Sequence, residues 1–240
     1  LKSLPNTIQL PLSVCYRCDS EIINMAKTLV PQIEAKDYAS EGVVDHNASI
    51  NDIEDGDMIL CRNTAPLAKI CMKYIANGVK AYIKGRDIGM NLINMIKRTK
   101  RNDIEDVLSV LGKELHKIAI RISKNTKCDL AEARQSNQYA IQEDKIKAIE
   151  VLSEGLSSSN ELISRIEQIF SETNKQGICL STIHKSKGLE AERVFIACPD
   201  KLYNKRAMRV DWMAQQESNL VYVAYTRAKH HLGFITDFEA

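Results

Sequence analysis

A chain of 240 residues with 44% hydrophobic content is long enough to enclose one sizeable core and is ordinary in composition for a globular domain. Its 33 basic and 31 acidic residues leave a net charge of +2, which excludes a global polycation, so any nucleic-acid site must be a local patch. No apolar run reaches membrane-spanning length, the first residues lack the regions of a signal peptide, and the seven cysteines lie mostly in apolar segments as small hydrophobes; a cytoplasmic location without disulfides is expected.

Thr7 to Val14 reads as a strand, followed by Ile22, Met25, Ala26 and Leu29 at helical spacing until Pro31 stops the helix. Met58 to Arg62 is an apolar run leaving the Asp55-Gly56-Asp57 turn; Leu67, Ile70, Cys71, Tyr74 and Ile75 then mark a helix ended by Asn77-Gly78. Val79 to Lys84 reads as a strand, and Ile88, Leu92, Met95 and Ile96 as a helix. From Thr99 to Gln176 strand signals vanish. One apolar stripe there carries Ile104, Val107, Leu108, Leu111, Leu115, Ile118, Ala119 and Ile122, and a helix with Leu162, Ile163, Ile166, Ile169 and Phe170 follows the Ser157-Ser158-Ser159 break. The alternation resumes with Ile178 to Ile183, Val194 to Cys198, a helix around Leu220 to Lys229 and a strand from Leu232 to Thr236. This pattern predicts an α/β fold with a mainly parallel sheet flanked by helices: residues 1–98 and 177–240 form one domain, interrupted by a small all-helical insertion at 99–176.

Four segments carry chemistry. In Thr182-Ile183-His184-Lys185-Ser186-Lys187-Gly188-Leu189-Glu190 an apolar strand enters a charged, glycine-containing turn, the kind of junction beyond a strand's carboxyl end where open α/β sheets bind ligands. Glu217 to Lys229 is a helix-like run ending in Tyr225-Thr226-Arg227-Ala228-Lys229, where Arg227 is either a functional cation or one attracted by a helix C-terminus. In Leu12-Ser13-Val14-Cys15-Tyr16-Arg17-Cys18, Tyr16 and Arg17 are a ligand-facing pair or surface packing, and the Cys15/Cys18 spacing lacks the second pair a structural zinc needs. In Ile59 to Leu67, Arg62, Asn63 and Thr64 lie at a strand end, where Asn63 or Thr64 also suits a helix N-cap ahead of Pro66. Between Lys97 and Lys127 nine Lys or Arg face four acids, which fits either a nucleic-acid backbone contact or a solvated helix face.

Together the four segments resemble motifs of the UvrD/Rep-like superfamily-one DNA helicases, the first two being similar to T-x-H-x-x-K-G-L-E and Y-V-A-x-T-R-A-K. The resemblance covers about residues 8–98 and 176–236 and implies a RecA-like second motor domain, with the insertion at the position of the family's accessory DNA-contacting subdomain. It implies ATP and Mg²⁺, held mainly by a first motor domain of the same polypeptide. Arg227 and Arg17 would reach the γ-phosphate, Tyr16 the adenine, Glu190 the ribose, and Gly188 would let backbone approach the nucleotide. Arg62, Asn63, Thr64, Thr182, His184 and Lys185 would hold single-stranded DNA, with duplex junctions as further partners. The sequence has no G-x-x-x-x-G-K-[ST] phosphate loop, since Gly112-Lys113 is followed by Glu114, and it begins at Leu1; a piece of a longer helicase, inactive by itself, is expected. Ala191 and Tyr225 depart from the family pattern, with consequences for packing near the nucleotide. Two other readings stay open: a degenerate nucleic-acid or partner-binding module without motor activity, and part of a helicase-nuclease subunit.

Overall fold

The computed structural model describes residues 12–171, 176–204 and 207–238. In chain order these form β1 (Val14–Cys15), α1 (Ser20–Lys27), β2 (Glu34–Ala35), β3 (Val43–Ala48), β4 (Met58–Cys61), α2 (Thr64–Ala76), β5 (Ala81–Lys84), α3 (Arg86–Thr99), α4 (Ile104–Thr126), α5 (Leu130–Arg134), α6 (Asn137–Ser153), α7 (Ser159–Ile169), β6 (Ile178–Thr182), β7 (Ala191–Ile196), α8 (Asp211–Tyr225) and β8 (Ala228–Ile235).

Six strands pair in the order β3-β8-β7-β4-β6-β5, every pair parallel, while β1 and β2 make a separate two-residue pair. The expected mainly parallel α/β architecture is what the structure has. Central strands of such a sheet are buried on both faces and read as continuous apolar runs. All four residues of β4 are accordingly buried, with Ile59 and Cys61 in one core and Met58 and Leu60 in the other. The second core is closed by α1 and α8 through Ile22, Ile23, Ala26, Val221 and Ala224.

The first core explains the helical segment. Ile104, Val107 and Leu111 of α4, Ile149 and Leu152 of α6, and Leu162 and Ile166 of α7 share one continuous cluster with Ile59, Leu67, Ile70 and Leu92. Helices α4, α6 and α7 therefore form a layer against α2 and α3 and share the sheet's core, with α5 packed on α4 and α6. Capping sets their starts: Asp103 accepts from the Glu105 and Asp106 amides, Asp129 from Glu132, and Ser158 with Glu161 makes a reciprocal capping box.

Three elements differ from expectation. The strand over Thr7 to Val14 lies mostly outside the described residues, and what is described of it is the short β1. Edge strand β3 (Val-Val-Asp-His-Asn-Ala) was not anticipated, because it is half exposed and lacks an apolar run. The last helix stops at Tyr225, and the strand after it begins at Ala228 instead of Leu232. The Thr226 amide and hydroxyl both turn back onto the Tyr222 carbonyl and end the helix, so Arg227 occupies the turn that follows. Lys229, which the sequence predicts at the end of the helix, is instead the second residue of β8, whose first half is its more exposed end.

Candidate functional site

The motif residues separate into two clusters at opposite ends of the sheet. At the amino ends of β7 and β8, Glu190 immediately precedes one strand and Arg227 the other, tied by the Ala191 amide donating to the Arg227 carbonyl at 3.1 Å. Arg17, in the turn before α1, joins them: its Nε is 2.6 Å from Glu190 Oε2 and its Nη1 donates to the Thr226 carbonyl at 3.3 Å. The generic expectation that ligands gather at carboxyl ends therefore does not describe Arg17, Glu190 and Arg227. The cause is the path of the chain, since residues 183–190 run back along the sheet to reach the start of β7.

The two arginines differ in character. Arg227 is 8% exposed, and its guanidinium donates through Nε to the Val223 carbonyl (3.0 Å), through Nη1 to the Leu189 carbonyl (3.0 Å) and through Nη2 to Thr226 Oγ1 (3.4 Å). Three of the five N–H donors of a guanidinium are thus fixed by the fold, leaving two. Burial, reinforced by repulsion from Arg17, lowers the Arg227 pKa. Arg17 is half-buried, and its partner Glu190 is exposed; hydrogen bonds from Arg17 and then Lys229 hold the Glu190 carboxyl below its usual range. Lys229 also pairs with Glu192 (3.0 Å), and His230 bridges Asp19 (2.5 Å) and Glu192 (3.0 Å). The Tyr16 ring stands 70% exposed beside this network, while Cys18 is buried with its thiol 3.6 Å from the Thr226 carbonyl. Gly188 has φ +87°, and a Cβ there would meet nothing within 4 Å, so the turn's left-handed backbone is what requires glycine.

The second cluster lies beyond the carboxyl ends of β4 and β6. Arg62, Asn63, Thr64 and His184 line a cavity of about 660 Å³ together with residues of α3 and α6, Gln135 just after α5, and the segment at Asp200 to Asn204. Arg62 makes a two-pronged ion pair with Glu217 of α8, Nη2 donating to Oε1 at 2.8 Å and Nη1 to Oε2, and Nη1 also donates to the Leu202 carbonyl at 2.9 Å. The Glu217 carboxylate additionally accepts from the Asn204 amide (2.8 Å), so it ties together two segments of the cavity wall, at Arg62 and at Asn204. At the N-terminus of α2 the free amides of Thr64 and Ala65 donate to the Asp144 carboxylate from α6 (2.8 and 3.0 Å). Although His184 is exposed, partial desolvation of its ring and then repulsion from Arg62 hold it below the ordinary histidine pKa. Thr182 is buried beneath the cavity and does not line it; Lys185 pairs with Asp87 at 2.6 Å beside it.

The cavity is therefore shaped by Glu217 and Asp144, neither of which sequence reasoning singled out as a site residue. Glu217 could have been found by asking which acid would neutralise Arg62, but Asp144 lies in the helical segment and carries no local signal. Among the described residues no group of three or more His, Cys, Asp or Glu could hold a metal ion.

A six-stranded all-parallel sheet with paired arginines at one end and a polar cavity at the other defines a RecA-like α/β domain. Residues 113–238 match the model of the UvrD-like helicase C-terminal domain, just over half of the chain, and the chain belongs to that family. The match extends through most of α4 to α7, the segment in which no motif was recognised. The chain is also 28% identical over 109 residues to a Bacillus subtilis (strain 168) protein named as an ATP-dependent DNA helicase, YjcD; that similarity covers 41% of this chain and 14% of that protein's length.

Proposed function

We propose that this chain is the second motor domain of an ATP-dependent DNA helicase, contributing one wall of a nucleotide cleft and one part of a single-strand track. The observation that carries the reading is the meeting of Arg17 and Arg227 at the Thr226 turn, although they lie at opposite ends of the chain. A fixed, largely buried guanidinium and a half-buried one meeting at one turn suit a polyphosphate whose charge grows in the transition state. Arg227, fixed by three hydrogen bonds, is preorganised. Arg17 is held by a partly exposed, solvent-screened ion pair, so it exchanges Glu190 for phosphate at little cost. Tyr16 supplies a stacking surface, and Glu190, once released, a ribose acceptor.

ATP and Mg²⁺ would be held mainly by a first motor domain that supplies the phosphate loop, and closure of the two domains would bring both arginines onto the γ-phosphate. At the other end of the sheet, Asn63, Thr64, His184 and Lys185 would contact the backbone of single-stranded DNA, with Arg62 and Thr182 shaping the wall behind them.

The test is the strand-stimulated ATPase of the full-length protein, wild type against Arg227→Ala, with nucleotide and strand affinities and thermal stability measured alongside. A fall in kcat of about 10³-fold or more at near-normal affinity is expected, the scale of an arginine finger. The 240-residue chain without its partner domain should turn over no ATP. A wild-type protein with strand binding but no ATPase would instead favour a binding module.

A further inference from the structure

Cys15 and Cys18 stand on either side of Tyr16 and Arg17, and neither cluster uses their thiols. Cys15 ends β1, Cys18 precedes Asp19, the N-cap of α1, and the residues between them form a bend. The bend brings the two thiols into hydrogen-bond contact, with the amides of Cys18 and Arg17 also donating to the Cys15 sulfur. The two differ in access. Cys15 is half-buried, whereas Cys18 has no exposed surface and packs in the second core with Ile22 and Ile23. The single Cys18 proton can serve Cys15 or the Thr226 carbonyl, 3.6 Å from its sulfur, and that carbonyl also accepts from Arg17 Nη1 at 3.3 Å. The hydrogen bond from Cys18, then the two amides and the Arg17 charge, outweigh burial and hold the Cys15 thiol well below the ordinary thiol range. Cys18, which donates that bond and is buried, keeps its proton. Cysteines at C-x-x-C spacing between a strand and a helix are a recurrent redox arrangement.

We propose that Cys15 and Cys18 are a site of reversible oxidation by low-molecular-weight disulfides, with Cys15 the attacking thiol and Cys18 the resolving one. The Cys15 thiolate attacks one sulfur of the reagent R–S–S–R; the bond to Cys15 forms, the reagent's S–S bond breaks, and one RS⁻ leaves. Cys18 then attacks the Cys15 sulfur, the mixed disulfide breaks, and the second RS⁻ departs with the Cys18 proton as RSH. The protein pair is oxidised to a disulfide, and the reagent is reduced to one thiolate and one thiol. The product closes a ring around Tyr16 and Arg17. It removes the S–H that served Cys15 and the Thr226 carbonyl, and it draws two sulfurs from hydrogen-bond contact into a covalent bond. Cys18 is anchored in the core, so the turn carrying Tyr16 and Arg17 takes up the movement. A displacement of about 1 Å at a group that acts in the transition state costs up to about 10²-fold in rate. This effect on turnover rests on the nucleotide reading of Arg17; formation of the disulfide does not.

The experiment treats the full-length protein with oxidised glutathione, blocks the remaining thiols with iodoacetamide, and maps the tryptic peptides by mass spectrometry. Trypsin cuts after Arg17, so a disulfide between Cys15 and Cys18 joins two peptides that are separate in the reduced protein. That joined species is expected as the main product at Cys15, and dithiothreitol should reverse it. Cys18→Ala should instead hold glutathione on Cys15, because no resolving thiol remains. The strand-stimulated ATPase of the same samples should fall roughly tenfold or more on oxidation and recover on reduction, and Cys15→Ser should be insensitive to oxidised glutathione. Absence of the joined species, or a wild-type Cys15 carrying only glutathione, would overturn the proposal whether or not Cys18→Ala folds. The joined species with unchanged turnover would overturn control of Arg17 by the pair. The joined species in a protein without ATPase would sustain the pair and count against the motor reading alone.

Discussion

Arg62 and Glu217 lie 155 residues apart in sequence and form a two-pronged ion pair at the cavity wall. Both are mostly buried, and removing one charge of such a pair strands the other in a poorly solvated place, at a cost of about 3–5 kcal/mol when burial is complete. Glu217→Gln should therefore lose about 2–4 kcal/mol of stability, seen as a lower midpoint in urea. An unchanged midpoint would show that Arg62 finds another partner. His184 offers a different handle. Its folded pKa lies below the ordinary 6.5, so the unfolded chain takes up the proton first, and this group's contribution to stability is lost as pH falls below about 6.5. Phosphate favours the imidazolium, so if His184 faces the strand, affinity should rise over the same fall in pH, and His184→Gln should flatten that rise. A pH-independent wild-type affinity would remove His184 from the track. Which residues could act was legible from the motifs. How far each was free to act was not, because that depends on partners such as Glu217, Asp87 and the Leu189 carbonyl that come from elsewhere in the fold.

Elements buried on one or both sides announced themselves, since β4, β6 and α2 are set by apolar runs and helical spacing. The unanticipated β3 is half exposed, and the misplaced end of α8 depends on the Thr226 hydrogen bonds, which periodicity does not register. Gly89 is a further feature invisible to pattern. It lies within α3 where α7 crosses, and a Cβ there would sit 2.7 Å from Phe170 Cβ and 2.9 Å from its Cγ. Alanine in a helix interior gains up to about 1 kcal/mol over glycine, but overpacking costs about 1–3 kcal/mol, and the root of a buried side chain cannot swing aside. Gly89→Ala should thus lower the melting temperature. A rise would mean that the end of α7 yields to the added methyl.

Over the whole molecule, the two clusters lie a strand's length apart, and one piece of chain joins them. Residues 183–190 leave the carboxyl end of β6 and return to the amino end of β7, crossing β4, with a short turn where parallel connections usually have a helix. Ile183 and Ser186 anchor this segment in the core beneath α8, while His184 and Glu190 project at its two ends. The buried Ser186 hydroxyl donates to the Ile183 carbonyl at 2.8 Å and its amide to the Thr182 carbonyl at 3.0 Å. A strand that displaces His184 therefore pulls on a segment whose far end holds Glu190 against Arg17. Ser186→Ala leaves both ends chemically intact and removes one bond, worth about 1 kcal/mol, from the link between them. In the full-length protein it should leave basal ATPase and nucleotide affinity near wild type and reduce the stimulation by single-stranded DNA several-fold. Undiminished stimulation, at a strand concentration that saturates both proteins, would mean that the two ends communicate by another route, with domain closure the remaining one.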